Sequence, residues 1–118
     1  MFVLALNNVT LLGRVGGDPE IKGDLEKPFV KFSLATSENY KTRDSDDWVR
    51  KTTWHNIVVF KPSLVDTVSN YLTKGTRVLV QGKLDYRTYE DEENPEKKHK
   101  YTSIIANDLV SLSGSKRD

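Results

Sequence analysis

The sequence predicts an all-β domain with one helix, its five strands closed into a small antiparallel barrel. Three observations carry that expectation. Apolar and polar residues alternate in five separate stretches, the period of strands with one buried face. A single stretch has the 3.6-residue period of an amphipathic helix, and it falls between the third and fourth alternating stretches. Glycine, proline and charged runs stand wherever the alternation stops. At 118 residues one domain is expected, large enough to bury a core without disulfides or a metal.

The first strand is Val9 to Val15, where Val9, Leu11, Gly13 and Val15 alternate with Thr10, Leu12 and Arg14. Gly16, Gly17 and Asp18-Pro19 then make a bend and turn. The run from Gly13 to Gly17 is no phosphate loop, because it lacks the Gly-Lys-Ser/Thr ending and a following helix. In the second strand Val30, Phe32 and Leu34 face one way and Lys31 and Ser33 the other. A short linker joins it to the first strand, which suggests antiparallel pairing. Glu38 to Arg50 is polar and charged and reads as a long hairpin loop. Its run Asp44-Ser45-Asp46-Asp47 is no calcium loop: the glycine at the sixth position is missing, and His55 stands where the closing glutamate belongs.

The third strand, Lys51 to Phe60, is dense in β-branched and aromatic residues. Alternation puts Trp54, Asn56, Val58 and Phe60 on one face and Thr53, His55, Ile57 and Val59 on the other. Trp54 and Phe60 then lie roughly 20 Å apart at about 3.3 Å per residue. The helix, about Ser63 to Lys74, shows Leu64, Val65, Val68, Tyr71 and Leu72 on one face. Pro62 suits its first turn, Ser63-x-x-Asp66 resembles a capping box, and Gly75 suits the C-terminal cap.

The fourth strand runs from Arg77 to about Tyr89, with Val78, Val80, Gly82, Leu84 and Tyr86 on one face. The acidic run Glu90, Asp91, Glu92, Glu93 and Glu96, followed by Lys97, Lys98 and Lys100, reads as a solvated hairpin tip. Tyr101 to Ala106 is the fifth strand, Leu109 to Leu112 a short terminal one, and residues 113–118 a flexible end beyond a 1–112 domain. Three strands, a helix and two strands in a small antiparallel domain is the connectivity of the OB-fold, a Greek-key barrel. A β-sandwich has no natural place for that helix.

Several function classes drop out. With no cysteine there is no disulfide framework, thiolate metal site or cysteine nucleophile. No stretch approaches the roughly 20 apolar residues of a membrane span, and no membrane partner is expected. Met1 to Leu6 is apolar but short and without a basic flank, so it does not read as a signal peptide. His55 and His99 are the only histidines, and no serine or carboxylate is placed near His55 by sequence. Neither an enzyme nor a cofactor or metal is expected. The formal net charge of +1 is uninformative alone, but outside the acidic-then-basic segment a modest basic excess remains. If the Trp54–Phe60 face is open, its rings are spaced for stacking on bases, and nearby lysines and arginines would supply the phosphate contacts.

The residues resemble a known family, the single-stranded-DNA-binding proteins of bacteria and mitochondria. The resemblance rests on Leu12-Gly13-Arg14-Val15-Gly16-Gly17-Asp18-Pro19, on Ser33-Leu34-Ala35-Thr36-Ser37-Glu38, and on Thr53-Trp54-His55 with the later Phe60. Tyr71-Leu72-x-Lys74-Gly75 and Val80-Gln81-Gly82-Lys83-Leu84 complete the series, which spans about residues 7–112. It implies stacking of single-stranded DNA at four aromatic positions. Trp54 and Phe60 match by type, while Tyr40 and Tyr89 stand where tryptophan is usual in bacterial members. Asn56 replaces a common basic residue, and Trp48 matches no family position. Candidates for phosphate contact are Arg14, Lys31, Lys41, Arg43, Arg50, Lys51, Lys61, Lys74, Lys83 and Arg87.

The resemblance further implies a homotetramer with His55 as the interface histidine, on the strand face opposite Trp54 and Phe60. It implies replication proteins such as a polymerase and a helicase as partners. Ser115-Lys116-Arg117-Asp118 stands where bacterial members carry an acidic tip, and Lys51-Thr52-Thr53-Trp54-His55 is similar to the mitochondrial branch. The expected place is the mitochondrial matrix, with the bacterial cytoplasm as alternative. The rival expectation is an OB-fold module that binds RNA or a protein partner.

Overall fold

Alternating Val, Leu, Ile and Phe residues each present one side to a shared interior, and the chain closes around them. The structure, a computed structural model, describes residues 4–23, 26–44, 46–90 and 92–112. Residues 1–3, 24–25 and 113–118, with Ser45 and Asp91, lie outside the described residues, as does the side chain of Tyr89. The elements are β1 (Val9–Val15), β2 (Glu20–Gly23), β3 (Pro28–Lys41), β4 (Trp48–Val59), α1 (Pro62–Tyr71), β5 (Arg77–Glu90) and β6 (Lys98–Ser111).

The strand order is β1-β5-β6-β4-β3-β2, and an additional β1–β3 pairing closes the ring. The result is the expected OB-type barrel with one helix. Every pairing is antiparallel except β4 with β6, which run parallel at Ile57↔Ile104 and Val58↔Ile105. β1 and β2 follow one another along the same edge of β3, from Val15↔Leu34 to Glu20↔Lys31.

Val30, Phe32 and Leu34 meet Ile57, Val59, Val78, Val80, Ile104 and Ala106 inside the barrel, and α1 lays Val65, Val68 and Leu72 against them. Each of the Val, Leu, Ile and Phe side chains among them contributes about 1.5–3 kcal/mol relative to exposure. Closure also needs close strand approach. A Cβ on Gly13 would fall on the Ala35 carbonyl, and one on Gly82 on the Ile105 carbonyl, so both positions exclude a side chain.

The structure departs from the sequence expectation in several places, each with a physical cause. Most of 38–50 is not loop: the β3–β4 ladder runs unbroken from Val30↔Val59 to Lys41↔Trp48, leaving only residues 42–47 as the tip. The ladder there overruns the core, so both faces are wet and no apolar period is written. β2 is missed for the same reason, since all four of its residues are exposed. The fifth and terminal strands are one, β6. Gln81 faces Asp108 while Gly82 faces Ala106, so Asn107 is an extra residue in a bulge that breaks the alternation.

In α1, Pro62 opens the helix and Lys61 is the N-cap, without a side-chain cap bond. Ser63 is therefore already inside the helix, and the capping box does not form. Tyr71, at the margin of the Val65–Val68–Leu72 face, is exposed rather than packed. Gly75 is not the cap either: the helix ends at Tyr71 with an extended Leu72. Gly75 instead has φ +90° within the Thr73–Thr76 turn, where the Thr76 N–H donates to the Thr73 carbonyl at 3.1 Å.

Candidate nucleic-acid interface

Strand parity divides each wall residue between the barrel interior and an outer face. On β4 the outer set is Trp48, Arg50, Thr52, Trp54, Asn56 and Val58. Cross-strand pairing extends it to Ala35 and Lys41 on β3, to Ile105 on β6, and from there to Lys83 on β5. Arg14 joins through Ala35, and Arg77 through Arg14. Trp54 is 62% exposed and Phe60, just past the strand, 41%. A Cβ on Gly16 would run into the Trp54 ring and the Ser33 hydroxyl. Gly16 is thus the floor on which the indole rests.

Two of the clefts on this face frame its rings. The first, of about 580 Å³, surrounds Phe60 and is lined by Phe29, Tyr101, Lys22, Lys31 and Arg87, with Val58 at its base. The Phe29 and Phe60 rings pack at 5.3 Å between centroids, tilted by 40°, within the range of a favourable aromatic pair. Lys31 Nζ lies 5.2 Å from the Tyr101 ring centre, and the Arg87 guanidinium 6.0 Å from that of Phe60. Carboxylates accompany two of the cleft's three cations: Arg87 Nε donates to Asp85 at 2.9 Å, and Lys22 lies 3.3 Å from Glu20. Those pairs are solvent-exposed and worth little to stability.

The second cleft, of about 570 Å³, lies beside Trp54 and holds Arg14, Arg50 and Arg77 together with Ser37 and Thr52. Arg14 Nη1 donates to the Gly75 carbonyl at 3.1 Å, and Arg50 Nη2 to the Ser37 hydroxyl at 3.3 Å. Arg14 and Arg77 are direct cross-strand partners. Like charges so placed repel, and a phosphate between them would convert the repulsion into charge-assisted hydrogen bonds.

His55 lies on the opposite side of β4, half-buried, with Nε2 2.9 Å from the Thr36 hydroxyl. Burial pushes its pKa below the ordinary imidazole value, so the ring is neutral at physiological pH. Tyr40 pairs with Val49 and Lys51 with Glu38, which puts both on the His55 side of the hairpin rather than on the Trp54 side. Lys31, Lys41, Lys83, Arg14 and Arg87 share the outer face with Trp54. Tyr89 pairs with His99 along β5. Arg43 is in the hairpin tip, Lys61 caps α1, and Lys74 sits in the turn after it, its N–H donating to Asp18 at 3.0 Å. Neither Lys61 nor Lys74 lines either cleft. Asn56 donates to the Thr102 carbonyl at 3.4 Å.

Sequence reasoning missed Phe29, Tyr101 and Arg77. Phe29 was within reach, since it precedes Lys31 by two residues in the same alternation. Tyr101 and Arg77 acquire their places only through the β5–β6 and β1–β5 registers. Among the described residues there is no cluster of His, Asp and Glu that could hold a metal, and no helix long and apolar enough to cross a membrane.

Comparison with known proteins agrees with this fold. The model of the single-strand binding protein family matches residues 6–112. The chain is 50% identical over 105 residues to a mitochondrial single-stranded DNA-binding protein of Drosophila melanogaster, covering 89% of this chain and 70% of that one. To the corresponding protein of Danio rerio it is 42% identical, covering 97% and 81%. Among solved structures, a Plasmodium falciparum SSB in complex with ssDNA superposes with a TM-score of 0.82 at 38% identity, covering 96% of this chain and all of that one. The barrel, its exposed rings and these likenesses concur: the chain belongs to the single-strand binding protein family.

Proposed function

We propose that this protein coats single-stranded DNA with little sequence preference, in support of DNA replication. The observation that carries the reading is the pair of exposed rings, Trp54 and Phe60, on one outer strand face between two cation-lined clefts. Every base has a π-face, so stacking is tolerant of sequence and worth about 1–3 kcal/mol per base. The arginines and lysines add a sequence-independent phosphate term. The protein acts as a binding module, not an enzyme. It works in the mitochondrial matrix, beside a replicative polymerase and helicase; the mitochondrial names of its relatives support that location. Tryptophan emission titrated with oligo(dT), duplex DNA and single-stranded RNA tests the binding. Quenching by oligo(dT) well before the duplex is expected; preference for RNA or for neither overturns the reading.

The protein works as a homotetramer, with His55 near the contact between copies and residues 1–112 as the assembling unit. An apolar stripe supports self-association: Leu12 pairs with Leu79, Leu79 with Val110, and Leu12 and Val110 are each almost half exposed. His55→Tyr or His55→Lys is expected to lower the sedimenting mass at dilute concentration with the far-UV dichroism intact. A wild-type monomer at micromolar concentration overturns the assembly, and intact tetramers in both variants overturn the role of His55.

A further inference from the structure

We infer that Trp48, at the far end of the β3–β4 hairpin, is a third base-stacking position that carries the DNA strand beyond Trp54 onto the hairpin arm. The inference rests on the single-stranded-DNA reading above and goes beyond it to a residue the family resemblance does not assign. Trp48 is 66% exposed and closes the ladder opposite Lys41. It stands six residues before Trp54, as Trp54 stands six before Phe60, so the three rings recur at intervals of about 20 Å along one strand face.

The ground between Trp48 and Trp54 is suited to a phosphate chain. Arg50 and Thr52, the two outer-face residues between them, line the cleft that also holds Arg14 and Arg77. Lys41 Nζ lies 5.3 Å from the Trp48 ring centre. A lysine there holds the indole in place by its stem and can swing its ammonium to a phosphate when a base takes the ring. As a purely structural pair, Lys41 and Trp48 would cap the hairpin without needing the arginine cleft to lead up to them. Beyond Trp48 the tip carries Asp44, Asp46 and Asp47 against Arg43, a net acidic segment less favourable to phosphate than the arginine cleft.

The chain has only two tryptophans, which makes the test direct. In the Trp54→Phe protein a flat ring is kept at 54 and all tryptophan emission comes from Trp48. This variant is titrated with dT oligomers, from about 4 nucleotides, the smallest site of one barrel, upward. Binding is followed independently by anisotropy of a labelled strand. The expected result is quenching of Trp48 by long oligomers and not by the shortest. Trp48→Ala should weaken binding of long strands about 5- to 160-fold while leaving the shortest unchanged. Binding by anisotropy with unchanged Trp48 emission overturns the inference, as does wild-type affinity of a folded Trp48→Ala protein for long strands. Absence of any binding by the wild-type protein overturns the underlying reading, and this inference with it.

Discussion

The Phe60 end and the Trp54 end of the outer face are built from different chemistry. Around Phe60 three rings cluster, and of the three cations beside them Arg87 and Lys22 are shared with Asp85 and Glu20, while Lys31 lies over the Tyr101 ring. Around Trp54 one ring lies beside three arginines, of which Arg14 and Arg50 donate to a carbonyl and a hydroxyl that leave their charge in place. A partly compensated aromatic site gains affinity mainly by stacking, which salt leaves alone. Arginines with neutral acceptors gain it by releasing counterions, which salt suppresses. One protein of net charge +1 can thus bind a polyanion with a moderate salt dependence, because only part of the face depends on charge.

The largest expected effect falls at the Trp54 end. Trp54→Ala should weaken binding of oligo(dT) by roughly 1–3 kcal/mol at any salt; an unchanged titration curve in a folded variant would remove the stacking half of the comparison. Next come the slopes. Replacing Arg14 and Arg50 by glutamine should flatten log K against log salt by about 0.7 for each phosphate they no longer neutralise. Phe60→Ala should lower the affinity and leave the slope as it was. Equal slope changes at both ends would show that the two are not chemically distinct.

A smaller effect probes how the indole is held. Gly16→Val puts a side chain where the Trp54 ring lies. It should shift the emission maximum and remove part, not all, of what Trp54→Ala removes. Wild-type emission and affinity in this variant would show that the ring does not rest on Gly16. The smallest effect is set by pH. His55 has its pKa lowered by burial, so the unfolded chain takes up protons that the folded one resists. The stability from neutral His55 is therefore complete above the ordinary value of about 6.5 and is lost as pH falls through the lower folded value. Unfolding midpoints should decline slightly more in the wild type than in His55→Tyr over that window, and parallel curves would contradict it.

How far the sequence reached depended on whether burial had written itself into it. β1 was legible residue for residue, and the inner faces of β3, β4 and β5 were read correctly, because Val30, Phe32, Leu34, Ile57, Val59, Val78 and Val80 all serve one core. Parity put Trp54 and Phe60 on one face of β4, but both faces carry apolar residues, so the sequence left open whether that face is exposed. The hairpin arms were not legible. Past Ala35 and before Trp54 both faces are wet, and polar residues alternate with other polar residues in silence. Hence Trp48 and Tyr40, assigned to a loop, turned out to sit on ladder positions of opposite parity. The arginine cleft lies across β1, β3, β4 and β5, and nothing local in any of those strands names its neighbours.

The β3–β4 arm has a consequence for how such a protein can change over generations. Its outer rungs contribute nothing to the barrel core, so residues can be added at the 42–47 tip without repacking anything. Parity makes the growth discrete. Two residues added to each strand lengthen the arm by about 7 Å and keep Trp48 on the same face as Trp54. One residue added to β4 between Trp48 and Trp54 would turn Trp48 to the other side. The arm is a ruler graduated in pairs, and a lineage can lengthen or shorten its hold on a nucleic-acid strand by whole steps while the barrel stays fixed.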